Sequence, residues 1–101
     1  MAVVIECEDT VMSAFIKGEI DHHISVGLRQ EIDRAIERNK PKTLILDFSA
    51  VTFMDSSGIG LVMGRYKKMN LIGGKVKVVN TPTHIKKVMK IAGLGALTSI
   101  E

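Results

Sequence analysis

Two hydrophobic patterns alternate along this chain. Apolar residues at every second position, or in one short continuous run, are typical of strands, whereas apolar residues three or four positions apart are typical of helices. The strand patterns predict strands at residues 3–8, 10–20, 43–48, 75–79 and 96–100. The helical patterns predict helices at residues 22–39, 57–71 and 82–92. The predicted order is therefore β-β-α-β-α-β-α-β.

This order predicts an α/β fold with a mixed, mostly parallel sheet, because a helix connects each parallel pair of strands. The first two strands have no helix between them, so they form an N-terminal antiparallel hairpin around a turn at Glu8-Asp9. The continuous apolar run at 43–48 indicates a central strand covered on both faces. Gly18 predicts a bulge or a close backbone approach. We expect residues 1–101 to form a single domain.

Local signals mark where the helices begin and end. Asp21 can cap the first helix, and Lys40-Pro41 ends it, because the residue before a proline avoids the helical conformation. Gly73-Gly74 stops the second helix. The third begins with Thr81 as its N-cap and Pro82 at its first helical position.

One strand-to-helix junction concentrates the candidate chemistry. It contains Asp55, Ser56, Ser57, Gly58 and Gly60. The first N–H groups of a helix have no partners inside it, so the junction can hold or receive a negative charge. At ~100° per residue, Ser57 points away from the core, and Ser56 lies at the edge of the core face. Ser56 is therefore the expected inward cap.

The two faces of the second helix differ in composition. The predicted core face carries Ile59, Val62, Met63, Tyr66 and Met69. The predicted outward face carries Ser57, Gly60, Leu61, Gly64 and Lys68, with Arg65 nearby. Each glycine costs about 1 kcal/mol of helix propensity relative to alanine, and the leucine would be exposed. These losses indicate a docking surface that another surface approaches closely, unless both glycines pack under a loop of the same chain.

Composition and charge narrow the classes of function. Hydrophobic residues make up 46% and charged residues 25% of the chain, as in an ordinary globular domain. No apolar run approaches the ~20 residues of a membrane span, and the first residues lack a secretion signal. The net charge is +3, but no aromatic residues interleave with the bases, so we expect no nucleic acid partner. We expect a cytoplasmic protein with no membrane partner, whose single cysteine, Cys7, forms no internal disulfide.

Catalytic and ligand-binding motifs do not fit the junction. A nucleophile elbow needs a glycine two positions before its serine, and neither Ser56 nor Ser57 has one. A Walker-type phosphate loop needs Gly-Lys-Ser/Thr after its glycines, whereas Leu61 follows Gly60. Asp21-His22-His23 contains two potential metal ligands, but adjacent helical side chains point ~100° apart and no other ligands accompany them. We therefore expect no enzyme activity, no metal and no cofactor.

What remains is a serine displayed at a helix N-terminus on a docking surface. Phosphorylation of Ser57 would add about −1.5 to −2 charges and three acceptor oxygens. The helix N-terminus tolerates that charge, whereas Asp55 opposes it, as does Asp21 if it lies alongside. The fold would persist while the surface potential reverses, which predicts a binding switch.

Five segments, in order over essentially the whole chain, carry a family resemblance. They are Gly18-Glu19-Ile20-Asp21, Leu46-Asp47-Phe48, Phe53-Met54-Asp55-Ser56-Ser57-Gly58-Ile59-Gly60, Gly64-Arg65-Tyr66-Lys67 and Ile91-Ala92-Gly93-Leu94. The chain resembles the STAS-domain anti-anti-sigma factors. Asp-Ser-Ser/Thr-Gly after an apolar strand is specific for the members that can be phosphorylated. The longer match through the fourth segment resembles the sporulation branch.

The resemblance implies a STAS fold and a switch between partners. The unphosphorylated protein would bind an anti-sigma factor that is also a serine kinase, and so release the sigma factor. The kinase, with ATP, would phosphorylate this protein and release it, and a phosphatase would reset it. The resemblance also implies that Ser57 is the phosphoacceptor, that Asp21 and Asp55 flank it, and that Arg65 lies in or near the interface. The expected partner-binding residues are Asp21, Asp55, Ser56, Ser57, Gly58, Gly60, Leu61, Gly64, Arg65 and Lys68.

Two alternatives stay open. A STAS module of another complex could regulate a transporter, although such domains usually come attached to other segments. A small nucleotide-binding protein or hydrolase could use the glycine turn, although a lone short glycine pair is weak support for it.

Overall fold

The predicted alternation of strands and helices is present in the computed structural model, which describes residues 2–101. The strands are β1 Val3–Glu8, β2 Val11–Ile20, β3 Thr43–Met54, β4 Lys75–Val79 and β5 Ser99–Ile100. The helices are α1 His22–Asn39, α2 Ser56–Leu71 and α3 Thr83–Ile91, and a short 3-10 helix, Leu94–Ala96, precedes β5. The predicted α/β order is confirmed.

The strands form one sheet in the order β1-β2-β3-β4-β5. β1 pairs with β2 in antiparallel fashion, and the three remaining neighbouring pairs are parallel. The predicted hairpin is confirmed, and Asp9 takes a positive φ of 55° in its turn. Gly18 has a φ of 91° between two register shifts of β2 against β3, so of the two readings the bulge is correct.

The helices cover one face of this sheet. Because the strand order never reverses, right-handed crossovers bring all three helices to the same side. The residues pointing to that side are buried, among them Met12, Leu44 and Val78. On the opposite side Phe15 is exposed and Ile45 is half-buried. The prediction that the third strand is covered on both faces is therefore wrong.

Element boundaries differ from the sequence prediction by one residue at the starts of β2 and α2 and at both ends of α3, and by more at β3 and β5. β3 continues to Met54, because Lys17–Ile20 of β2 pairs with its second half beyond the bulge. α3 begins one residue after Pro82, which serves as its N-cap with an extended ψ of 144°, so Thr81 makes no cap hydrogen bond. The last strand shrinks to two residues because residues 94–96 form the 3-10 helix. The limits of α1 agree with the prediction.

Candidate functional site

The N-termini of α1 and α2 lie side by side at one edge of the sheet. β2 and β3 are parallel neighbours, and their last residues, Ile20 and Met54, are paired. The N–H of Asp55 donates to the carbonyl of Ile20 at 3.1 Å. The two following helices therefore begin at the carboxyl ends of adjacent strands, which is where ligands and partners reach parallel sheets.

Each of these helices is capped by an aspartate. Asp21 Oδ1 accepts from the N–H of Ile24 at 2.8 Å, and Asp55 Oδ1 accepts from the N–H of Ser57 at 2.8 Å. The Asp21 cap confirms the prediction for α1. The prediction that Ser56 caps α2 is wrong, because Asp55 takes the extended cap conformation and Ser56 is the first helical residue.

The positions of the two serines are the reverse of the prediction. Ser56 is exposed, and Ser57 is half-buried. The hydroxyl and the N–H of Ser57 are the main reasons why the pKa of the Asp55 carboxyl lies below its usual range, and the nearby His22 adds to this effect. Ser57 therefore lies beside a carboxylate whose ionised form its hydroxyl and N–H favour.

An open groove separates the N-terminal halves of α1 and α2. Its volume is about 340 Å³. α2 contributes Ser56, Ser57, Gly60 and Leu61, and α1 contributes His22, Ser25, Val26 and Arg29. Four of the predicted site residues thus lie together. The α1 wall was missed, although its spacing of three, four and seven residues from His22 places all four side chains on one face of a helix.

The buried face of α2 is turned from the predicted one by nearly one residue position, ~100°. It carries Gly58, Leu61, Val62, Arg65 and Met69. Ile59, Met63 and Tyr66 of the predicted core face are only half-buried. The helix packs against both the sheet and α1, so its buried face lies between these two neighbours. The expectation that Leu61 is exposed is wrong, since only 4% of it is accessible.

Arg65 lies inside the molecule. It is 5% exposed, and its Nε is 2.9 Å from Oδ1 of Asp33 on α1. Burial lowers the pKa of the Arg65 guanidinium from its usual value, and the charge of Asp33 acts in the opposite direction. Arg65 was predicted on the outward face near Ser57, and that placement is wrong because the turned helix directs it toward α1.

The predicted glycines of the outward face are open. Within residues 2–101 and outside the adjoining helix backbone, a Cβ added to Gly60 or Gly64 would meet no atom within 4 Å, so no loop in this part of the chain covers them and that alternative is wrong. Gly58 differs, because a Cβ there would overlap the side chain of Met54. Lys68 is half-buried, and its Nζ lies 2.8 Å from Oε2 of Glu37 on α1.

The described residues show few other candidate sites. Within residues 2–101, no group of three or more His, Cys, Asp or Glu side chains is arranged to hold a metal ion. In the same range, no helix is long and apolar enough to cross a membrane. Cys7 is a free, exposed thiol. The groove between α1 and α2, which Ser57 lines, is therefore the candidate functional site.

This chain is similar to known proteins in both sequence and fold. The chain matches the STAS domain family over residues 2–101. An anti-sigma F factor antagonist of Paenibacillus polymyxa is 40% identical over 86 residues, which are 83% of this chain and 72% of the relative. An anti-sigma F factor antagonist of Lysinibacillus sphaericus is 37% identical over 78 residues, covering 77% of this chain and 67% of the relative.

A solved structure supports the same assignment. The anti-sigma factor antagonist SpoIIAA in its unphosphorylated form superposes with a TM-score of 0.85 at 32% identity, covering 99% of this chain and 88% of that chain. The resemblance predicted from the sequence is confirmed, as is the fold. This chain belongs to the STAS domain family and, within it, to the anti-sigma factor antagonists, which regulate by binding rather than by catalysis.

Proposed function

We propose that residues 1–101 act as a single cytoplasmic domain that is switched at Ser57. In the unphosphorylated form it binds an anti-sigma factor that is also a serine kinase, and the sigma factor is released. The kinase transfers the γ-phosphoryl group of ATP to Ser57 Oγ, so that an O–P bond forms, ADP leaves and the hydroxyl proton is lost. A phosphatase later hydrolyses the phosphoserine. The similarity to two anti-sigma F factor antagonists supports an anti-sigma factor as the partner.

The observation that carries this proposal is the surroundings of Ser57. Its hydroxyl lies in an open groove at the N-terminus of α2, where unpaired N–H groups favour a negative charge. The ionised Asp55 beside it disfavours a second negative charge. The protein can therefore carry a phosphate on Ser57 without unfolding, while the charge of the groove surface changes sharply. The related SpoIIAA protein is known in a phosphorylated form as well, with a TM-score of 0.77 to this chain at 32% identity.

The open glycines support a close approach by a partner. Gly60 and Gly64 each weaken α2, yet nothing in the described chain contacts the space that a Cβ would fill. A flat partner surface can lie against the helix backbone at these two positions. A phosphate on Ser57 would add bulk and charge about one turn from Gly60 and two turns from Gly64, so the same surface would no longer fit.

The proposed docking residues divide into two groups by burial. Asp21, Asp55, Ser56, Ser57, Gly60, Gly64 and Lys68 keep exposed or half-buried surface for a partner. Gly58, Leu61 and Arg65 are buried, so we propose that they shape this surface from inside the fold.

A kinase assay tests the proposal directly. The protein is incubated with its cognate anti-sigma factor and ATP, and the product is mapped by mass spectrometry. We expect one phosphate, on Ser57. The Ser56→Ala variant is the matched control, because it removes the neighbouring exposed hydroxyl and should still be phosphorylated. Phosphate found mainly on Ser56 would refute the proposed switch.

Binding measurements on Ser57 variants test the electrostatic part. Ser57→Ala should bind the anti-sigma factor and never be released by ATP. Ser57→Asp should keep its fold and bind about tenfold more weakly or worse, since it places a carboxylate beside Asp55. Isothermal calorimetry measures both affinities, and circular dichroism checks the fold. An Asp variant with unchanged affinity would contradict the electrostatic mechanism.

A further inference from the structure

The charges along the α1–α2 contact follow a regular order. We call this line the α1–α2 seam. From α1 it contains Ser25, Arg29, Asp33 and Glu37, and from α2 it contains Ser57, Leu61, Arg65 and Lys68. Its last two turns hold ion pairs, Glu37 with Lys68 at 2.8 Å and Asp33 with Arg65 at 2.9 Å. Each pair joins α1 to α2, and the two pairs lie one helical turn apart.

The next turn toward the N-terminus holds a cation with no anion opposite. Arg29 lies four residues before Asp33, on the same face of α1, and it lines the groove together with Ser57. Within residues 2–101 it forms no ion pair, whereas Asp33 is engaged with Arg65. On the α2 side the groove offers only hydroxyls, a glycine and a leucine.

We propose that this groove receives the phosphate of phosphorylated Ser57 and that Arg29 forms the ion pair with it. The inference rests on the proposed switch at Ser57 and specifies its phosphorylated state. The phosphate would complete the seam as a third ion pair between α1 and α2. An arginine suits this role because its planar guanidinium can donate two parallel hydrogen bonds to phosphate oxygens.

The neighbouring charges favour Arg29 as the phosphate's partner. Asp55 and Asp21 repel the phosphate from the junction side, and both already accept a backbone N–H at their own helix ends. His22 borders the same groove but lies close to Asp55, which it stabilises. A phosphate turned away from Asp55 therefore moves along the groove toward Arg29.

This pairing changes what a partner encounters. In the unphosphorylated form Arg29 is exposed and offers a free cation to acidic groups of a partner. In the phosphorylated form the same cation is engaged within the chain. Phosphorylation would thus replace a free positive group on the docking surface with an ion pair of net negative charge, so acidic groups of a partner would lose their attraction to Arg29.

The test places phosphoserine at position 57 during translation, so that it does not depend on any kinase. Phosphorus NMR then follows the second pKa of the phosphate, ~6 for ordinary phosphoserine. We expect this pKa to be about half a unit higher in Arg29→Gln than in the protein with Arg29, because the cation favours the doubly charged phosphate. Asp21, His22 and Asp55 are the same in both proteins, so the difference reports Arg29.

Arg34→Gln is the matched control. Arg34 is also an exposed arginine of α1 without an ion pair in the described chain, but it borders a different surface depression with Ile5 and Cys7. Its variant should keep the phosphate pKa of the protein with both arginines. Equal pKa values with and without Arg29, or equal shifts in both variants, would overturn the inference and leave the proposed switch intact. A kinase that does not modify Ser57 would overturn the switch and leave this measurement standing.

Discussion

At the N-terminal end of the α1–α2 seam, the two helices leave an open groove of about 340 Å³. At the C-terminal end the same helices are joined by the Asp33–Arg65 and Glu37–Lys68 pairs, above the buried Ile32 and Ile36. The C-terminal end contributes contacts that hold the helices together, whereas Gly60 in the groove and Gly64, one turn beyond it, give up helix propensity without an internal contact within residues 2–101. Where a fold accepts such a loss, the surface is expected to serve binding.

The ion pairs at the C-terminal end of the seam help to fix the shape of the groove at its N-terminal end. A groove that presents Ser57 and Arg29 at a fixed separation requires that α1 and α2 do not slide against each other. The buried Arg65 and its partner Asp33 lie one turn beyond the groove and connect the two helices. Variants that disturb one end and spare the other can therefore test whether stability and binding are divided in this way.

The largest effect is expected for Arg65→Ala. It leaves Asp33 without its partner and empties space between α1 and α2, so the free energy of unfolding should fall by about 3 kcal/mol or more. Urea denaturation followed by circular dichroism measures this loss. Affinity of the remaining folded protein for the anti-sigma factor should fall much less than stability, because Arg65 is only 5% exposed and affects a partner only through the positions of α1 and α2.

A double variant, Arg65→Met with Asp33→Ala, serves as the control for this result. It replaces the pair with apolar groups and leaves no unpaired buried charge, so most of the lost stability should return. If Arg65→Ala instead keeps full stability and loses binding, Arg65 belongs to the interface, and the division of the seam into two ends is wrong.

The next effect concerns the glycines and should have opposite signs for stability and binding. Gly60→Ala and Gly64→Ala each add a methyl group in open space, so each should stabilise the protein by up to about 1 kcal/mol. Affinity for the anti-sigma factor should fall about tenfold, because the methyl group separates two closely packed surfaces. Denaturation and calorimetry on the same samples measure both quantities.

Gly58→Ala is the internal contrast for these variants. Its Cβ would overlap the side chain of Met54, so the substitution should lower stability, by roughly 1 kcal/mol net of the gain in helix propensity. Should Gly60→Ala and Gly64→Ala bind as tightly as the unchanged protein, no partner approaches this face closely, and the glycines lose their functional explanation.

The sequence alone predicts some element boundaries better than others, and the reason is physical. The limits of α1 follow from local signals, an Asp cap at one end and Lys40-Pro41 at the other, and the structure agrees with them. The second half of β3 depends on pairing with distant residues of β2, so periodicity within the strand does not reveal it.

The candidate site shows the same limit. The junction at Asp55 and Ser57 could be found from residue types, because helix starts have local signals, although the cap is Asp55 and not the predicted Ser56. The direction of the buried face of α2 depends on contact with both α1 and the sheet, and a helical wheel contains neither. The wheel therefore misplaced Leu61 and Arg65, and nothing local showed that Arg29 borders the groove of Ser57.

The smallest effect is expected for the Glu37–Lys68 pair at the outer end of the seam. The hydrogen bond and charge of Lys68 hold the pKa of Glu37 below its usual value of 4.5. A lowered carboxyl pKa stabilises the folded state above that usual value, and the contribution disappears as the pH falls through the lowered one. Lys68→Gln should therefore shift the urea midpoint slightly at about pH 7 and progressively less as the pH falls below 4.5, and ~1 M salt should reduce the shift. Lys67→Gln, an exposed neighbour on the same helix, is the matched control. A large shift for Lys68→Gln would mean that this exposed pair, rather than Arg65 and Asp33, holds α1 and α2 in register.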